Sequence, residues 1–283
     1  MSNTVLIADG DLSSRKLFKE ALRADGYDII DVGDGQAALQ TIESRQVDVL
    51  IADETLPKLN GIELLERAHQ LQPKMRAIVV TSHGTPNAVI GALDNQACDY
   101  LSKPVELDEI RGAVKAAFKR TGACEVEVIS AKPDWIELRV PCDLNVVEPI
   151  QNFLTGLEGD LPRETREEVG SAFREMLNNA IEHGGSCDLT RQVRVKYIRF
   201  RNAILYSIED PGPGFDMDKV QHAAFANPTD DPLRHMEIRE QEGIRPGGFG
   251  IMLASQAIDE LVFNEKHNEL IFVKYVREAP PTQ

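Results

Sequence analysis

The sequence predicts a two-domain α/β protein: a parallel sheet flanked by helices, followed by a second unit of strands and helices. Three observations carry that expectation. The chain has 283 residues, enough for two domains of roughly 100–200 residues each, with a core apiece. Short β-branched apolar runs alternate with helix-like stretches in its first part. In its last part, a helix bearing Glu175 and Asn179 precedes two glycine-rich segments.

Val5–Ala8, Val49–Ala52 and Ala77–Val80 are continuous apolar runs, each ending at a polar residue and followed by a helical pattern. That rhythm belongs to buried parallel strands joined by crossover helices. Ligands of such sheets sit beyond the carboxyl ends of the strands. The residues found there are Asp9, Asp53 and Thr81, and Asp99–Pro104 brings Lys103 to the same edge. Two carboxylates, a hydroxyl and an ammonium suit phosphoryl transfer to a carboxylate. Asp53 would attack, a divalent cation on acidic oxygens would offset charge, and Lys103 and Thr81 would contact the phosphoryl oxygens.

Leu107, Ile110, Val114 and Ala117 keep helical spacing up to the basic turn Lys119-Arg120 and Gly122, where the first domain ends. The expected division is 1–121, a linker over 122–134, and a second domain over 135–283. Trp135–Val140 alternates as a strand, and Leu144–Leu157 and Arg163–His183 read as helices. Glu175 and Asn179, four residues apart, share one face of the second helix. After the strand Ala203–Ile208 come Asp210, Gly212 and Gly214, and later Gly247, Gly248 and Gly250. Glycines let backbone approach a base or a phosphate closely, and Asp210 could accept a hydrogen bond from an adenine amino group. The polar stretch Met217–Ile244, with Pro228 and Pro232, has the composition of a loop over a ligand.

Bulk properties exclude several classes. Residues 1–123 hold 18 acids and 14 bases and residues 124–283 hold 28 and 17, so the net charge of −15 divides as −4 and −11. A nucleic-acid partner needs clustered Lys and Arg, and no basic run exists. Cys98, Cys124, Cys142 and Cys187 form no CxxC pair, so they read as reduced thiols. No run approaches the roughly 18–20 apolar residues of a spanning helix, and Met1–Asp9 lacks signal-peptide regions. The expectation is a cytoplasmic protein with no membrane partner.

The segments DVLIADETLPKLNGIELL, VVTSH and DYLSKPVEL resemble the signatures of response regulator receiver domains. That resemblance implies a flavodoxin-like (βα)5 fold, with Asp53 as phosphoacceptor, Thr81 and Tyr100 as switch residues, and Lys103 as the lysine before Pro104. It also implies Mg²⁺ held by Asp9, Asp53 and the Thr55 carbonyl, and an upstream histidine kinase or other phosphodonor. One position departs: Asp9-Gly10-Asp11 has glycine where the family carries a direct metal ligand. Asp11, or a water held by Asp9, could compensate.

EMLNNAIEHG, DPGPGFD and GGFGIMLA are similar, in that order, to the N, G1 and G2 boxes of Bergerat-fold (GHKL) ATPases and kinases. The resemblance implies an α/β sandwich with helices on one face of a mixed sheet, ATP and Mg²⁺, Asn179 as a metal-binding residue, Glu175 as catalytic acid, and His183 beside the nucleotide. Residues 121–134 leave no room for a histidine-bearing hairpin, which speaks against autophosphorylation on histidine. WIELRVPCDLNVVEPIQNFL and REEVGSAFREMLNNAIEHG resemble anti-sigma-factor serine kinases. The implied output is a Ser/Thr kinase acting on a STAS-domain anti-sigma-factor antagonist, with a sigma factor as second partner and a homodimer as assembly. The alternative is a non-catalytic module that binds partners according to ATP occupancy.

Overall fold

The computed structural model describes residues 3–82, 84–119, 126–214 and 257–276. The chain divides into two compact units near Val126 and Glu127, and the short stretches Ala131–Pro133 and Asn152–Gly159 group with the first.

The first unit alternates strand and helix: β1 (Thr4–Ala8), α1 (Leu12–Leu22), β2 (Asp28–Val32), α2 (Gly35–Ser44), β3 (Val49–Asp53), α3 (Gly61–Leu71), β4 (Arg76–Thr81), α4 (Pro86–Asp94), β5 (Asp99–Ser102) and α5 (Leu107–Lys119). The strands form a five-stranded sheet in the order β2-β1-β3-β4-β5, and the pairings are parallel. β1 and β3 are buried along their full length, because helices cover both faces and leave no solvated side. Phe18, Ala21 and Leu22 of α1 and Ile110, Ala113, Val114 and Ala117 of α5 pack on Val5, Ile7, Ile51, Ile78 and Val80. Helix starts follow capping chemistry: Asp11, Asp34, Asn60 and Thr85 each accept a backbone N–H of the first turn of α1, α2, α3 and α4.

The elements after α5 are β6 (Glu127–Lys132), β7 (Trp135–Pro141), α6 (Val147–Gly156), α7 (Arg163–Asn179), β8 (Gln192–Arg199), β9 (Ala203–Glu209), β10 (Glu260–Phe263) and β11 (Glu269–Tyr275). Among the described residues the sheet order is β10-β11-β9-β8-β7-β6. A mixed sheet was expected, yet the registered pairs β10–β11, β11–β9, β7–β8 and β8–β9 are all antiparallel. The short returns 200–202 and 264–268 account for the pairs β8–β9 and β10–β11, since a short loop joins antiparallel neighbours only. The expected linker is also corrected: 122–134 contains β6, which joins the sheet beside β7.

One face of this sheet is apolar with period two. Val193, Val195 and Tyr197 of β8 are buried, as are Ile204, Tyr206 and Ile208 of β9 and Ile136, Leu138 and Val140 of β7. α7 covers that face through Val169, Ala172, Phe173, Met176 and Leu177, the spacing of a helical stripe. Phe173 meets Tyr206 at 5.2 Å between ring centroids, and Tyr206 stacks on Phe272 at 4.9 Å. Two expected helices differ in detail. The first opens as a tight 3₁₀ turn at Leu144–Val146 before α6, and the second ends at Asn179 and continues as a wider π turn over Ala180–Gly184.

Candidate functional sites

At the carboxyl edge of the parallel sheet, Asp9 follows β1, Asp53 ends β3, Thr81 ends β4 and Lys103 follows β5. Asp9, Asp53 and Thr81 are 1%, 5% and 0% exposed. The Lys103 ammonium donates to Asp53 Oδ2 at 2.5 Å and to Asp9 Oδ2 at 2.8 Å. The other Asp53 oxygen, Oδ1, accepts from the Thr55 N–H at 2.7 Å and the Thr55 hydroxyl at 2.8 Å. The Asp11 N–H donates to Asp9 Oδ1 at 2.8 Å. Gly61 makes room for this: a Cβ there would lie 2.3 Å from the Asp53 carbonyl oxygen, so a side chain would push β3 off its register.

Electrostatics separate the two acids. Burial pushes Asp53 up, but hydrogen bonds from Lys103 and Thr55 outweigh it and hold the carboxyl below the usual range. Asp9 has fewer donors, and burial leaves it raised. Burial opposes the charge on Lys103, yet the two carboxylates keep its pKa above the ordinary lysine value. Asp53 therefore stays an anion, the form a nucleophile needs.

A cation already bridges Asp9 and Asp53, so the donor set suits positive charge, and Asp9 and Asp53 would be the side-chain ligands of a Mg²⁺. Gly10 contributes no ligand. The Asp11 carboxylate is committed to the α1 cap, accepting from the N–H groups of Ser13 and Ser14 at 3.1 Å each. Among the described residues no three His, Cys, Asp or Glu side chains gather as a metal site. Thr55 was expected to act through its carbonyl; the structure adds a hydroxyl and an N–H aimed at Asp53. Thr81 does not face Asp53 with its hydroxyl: that group donates to Glu54 Oε2 at 2.5 Å. Tyr100 is buried, and burial followed by the Glu54 charge pushes its hydroxyl pKa up.

In the second unit, Asp210 follows β9 and accepts the Gly212 N–H on Oδ1 at 2.7 Å. Its own N–H donates to the Asn268 carbonyl at 2.8 Å, which ties it to the loop before β11. Burial raises the Asp210 pKa, only partly offset by the Gly212 N–H. Gly184, in the π turn after α7, presses directly on this carboxylate: a Cβ there would lie 2.2 Å from Asp210 Cγ and Oδ1. The Arg191 guanidinium donates to the Pro211 carbonyl. Gly214 is held at φ +79° against the Lys266 carbonyl.

Glu175 and Asn179 are half-buried one turn apart on α7, and His183 is exposed in the π turn. Gly247, Gly248, Gly250 and the expected lid Met217–Ile244 lie outside the described residues. Sequence reasoning missed Gly184, Glu54 and the side-chain role of Thr55. The dipeptide His183-Gly184 was the available signal for the first, and an acid directly after the strand-end Asp53 for the second.

These features define the class: a receiver-like α/β unit with buried acids at its sheet edge, and a helix-covered antiparallel sheet with Gly184 and Gly212 close against a half-buried Asp210. Comparison with known proteins agrees. Residues 5–115 match the response regulator receiver domain family and residues 140–274 match the histidine kinase-like ATPase domain family. The chain is 30% identical to sporulation initiation phosphotransferase F of Bacillus subtilis (strain 168), over 41% of this chain and 93% of that protein. It is 31% identical to response regulator MprA of Mycobacterium ulcerans (strain Agy99) over 43% of this chain, and 26% identical to transcriptional regulatory protein ZraR of Escherichia coli O157:H7 over 44%. It spans 52% of the length of MprA and 28% of that of ZraR. The crystal structure of a CheY-like receiver domain protein from Methanospirillum hungatei JF-1 has 28% identity and a TM-score of 0.41, covering 42% of this chain and 95% of that one. The chain belongs to the response regulator receiver family and carries a histidine kinase-like ATPase domain after the receiver. Among the described residues no helix is long and apolar enough to cross a membrane.

Proposed function

We propose that this chain is a response regulator whose ATPase domain is a Ser/Thr protein kinase, governed by phosphorylation of Asp53. The observation that carries the reading is the double fixing of Asp53. Lys103 holds one carboxylate oxygen and Thr55 the other, so the anion is buried, charged and oriented. An Asp53 oxygen attacks the phosphorus of a phosphodonor, such as an upstream histidine kinase. A new P–O bond forms as the donor's bond to phosphorus breaks, and the leaving group keeps the electron pair. Lys103 is placed to offset charge on the acyl phosphate. Mg²⁺, held by Asp9, Asp53 and the Thr55 carbonyl, would supply further neutralisation of the phosphoryl oxygens.

In the ATPase domain, Asp210 would accept the adenine amino group, with Gly212 and Gly214 giving the base close backbone contact and His183 at the rim. Gly247, Gly248 and Gly250 would serve the phosphates, and Asn179 would serve ATP-bound Mg²⁺. Glu175 takes the proton of a partner hydroxyl as that oxygen bonds to the γ-phosphorus, and ADP leaves with the electrons of the broken P–O bond. Glu175 and Asn179, one turn apart on α7, support catalysis. The resemblance to anti-sigma-factor kinases suggests a STAS-domain antagonist as substrate, a sigma factor as second partner, a homodimer as assembly, and a cytoplasmic setting.

The receiver half is tested by intact mass after incubation with acetyl phosphate and Mg²⁺. Wild type gains one phosphoryl group and Asp53→Ala gains none; equal masses for both would overturn the reading.

A further inference from the structure

The end of β3 carries a second acid that the phosphoacceptor reading does not use. Asp53 pairs with Val80 across the sheet, and the Glu54 N–H continues the ladder by donating to the Val80 carbonyl at 2.8 Å. Glu54 therefore sits opposite Thr81, and its Oε2 accepts the Thr81 hydroxyl at 2.5 Å. The Thr81 backbone is fixed as well, because its carbonyl accepts the Lys103 N–H at 2.7 Å. A threonine hydroxyl has one proton and so one donation at a time. Its donation is directed to Glu54, away from the pocket where Lys103 and Thr55 meet Asp53.

Tyr100 shares this corner. A Cβ on Gly84 would lie 3.4 Å from the Tyr100 hydroxyl and 3.7 Å from Thr81 Cγ2, so both side chains line one small volume. Any swing of Thr81 toward Asp53 empties space beside Tyr100. Thr81 is fully buried, where a donor left without an acceptor is costly. It will leave Glu54 only for another strong acceptor, and a phosphoryl oxygen on Asp53 is one.

We propose that Glu54 is a positioning residue that latches Thr81: its carboxylate holds the hydroxyl that a phosphoryl group on Asp53 would otherwise take. The proposal rests on Asp53 as phosphoacceptor. Glu54 thereby sets how strongly the receiver answers phosphorylation, because the switched arrangement must first break the Glu54–Thr81 bond.

The test uses the full chain with beryllofluoride and Mg²⁺ as a phosphoryl mimic, titrated while the Thr81 methyl resonance is followed by NMR. Glu54→Ala is expected to tighten apparent beryllofluoride binding about tenfold, the weight of one hydrogen bond to a charged group. Glu54→Gln keeps an acceptor oxygen but loses the charge, and is expected to tighten binding by less than Glu54→Ala does. In a Thr81→Ala background, Glu54→Ala should then have no further effect. Equal tightening in Glu54→Ala and Glu54→Gln, persistence of the effect without the Thr81 hydroxyl, or no change at all would each overturn the latch. If wild type binds no beryllofluoride, the Asp53 reading fails and the latch is judged in the anion-free protein. There the Thr81 methyl resonance should move in Glu54→Ala and stay in Glu54→Gln, and an unmoved resonance in Glu54→Ala would overturn it.

Discussion

Replacing Gly184 by alanine tests the nucleotide pocket with one methyl group. The new Cβ would stand 2.2 Å from Asp210 Cγ and Oδ1 and 2.4 Å from Asp210 Cβ, where carbon contacts prefer about 3.5–4.0 Å. Asp210 would have to retreat by more than about 1 Å. It is not free to do so without loss, because its Oδ1 accepts the Gly212 N–H at 2.7 Å and its N–H is tied to Asn268. Overpacking costs about 1–3 kcal/mol, and the lost hydrogen bond about 1 kcal/mol more. The gain in helix propensity of about 1 kcal/mol offsets part of this, leaving a net cost of about 2 kcal/mol. Melting of the ATPase domain should fall by about 4–8 °C. ATP affinity should fall by about tenfold to a hundredfold, the equivalent of losing one hydrogen bond to a charged group, about 1.5–3 kcal/mol. Thermal unfolding and titration with a fluorescent ATP analogue measure both. Unchanged affinity together with an unchanged melting temperature would refute the placement of Asp210 as the base-recognising acid.

The same chemical change in α5 should act in the opposite direction: Gly112 has open space around its Cβ position, so Gly112→Ala should stabilise the receiver by about 1 kcal/mol in urea unfolding. Asp210→Asn keeps an acceptor for Gly212 but removes a charge that burial disfavours. Because the folded-state pKa is raised, wild-type stability falls as pH climbs from about 4, the unfolded value, through the folded one. The variant should thus be the more stable form at pH 7 and lose that advantage below about pH 4, while binding ATP more weakly; paired melts across pH test this. Lys103→Ala strands Asp9 and Asp53, both buried, without their shared cation, and should cost about 3–5 kcal/mol at pH 7. Adding Asp53→Asn should recover a measurable part of that loss in denaturant titrations.

The carboxyl-edge residues were legible because strands buried on both faces read as apolar runs, and each such run here ends on the residue that matters. β2 was not legible: Asp28 and Asp31 interrupt Asp28–Val32, and as an edge strand it is only partly buried. β8 carries a plain alternation, with Val193, Val195 and Tyr197 inward and Arg194 and Lys196 between them. That pattern was readable and lay between two more conspicuous motifs. β6 hid in the linker because Glu127, Ser130 and Lys132 break its apolar pattern and none of its residues is fully buried.

Side-chain partnerships were harder to read than elements. Spacing brought Asp9, Asp53 and Lys103 together, since a parallel sheet fixes which strand ends converge. Spacing could not say that the Thr81 hydroxyl turns to Glu54, because that choice depends on a rotamer and on cross-strand register. Asp11 illustrates the competition: the same carboxylate could serve a cation or a helix start, and the free N–H groups of α1 claim it. His183 is exposed in the π turn, and the next residue, Gly184, is the one that lies against Asp210, a contact that no motif spacing announces.

Phosphoryl transfer from γ-labelled ATP to serine on a STAS-domain antagonist tests the account most directly, followed with and without acetyl phosphate in wild type, Glu175→Ala and Asp53→Ala. The account predicts label on the antagonist with wild type, its loss in Glu175→Ala, and a response to acetyl phosphate that Asp53→Ala abolishes. ATP binding with no transferred label, or transfer indifferent to Glu175 and to Asp53, would contradict it.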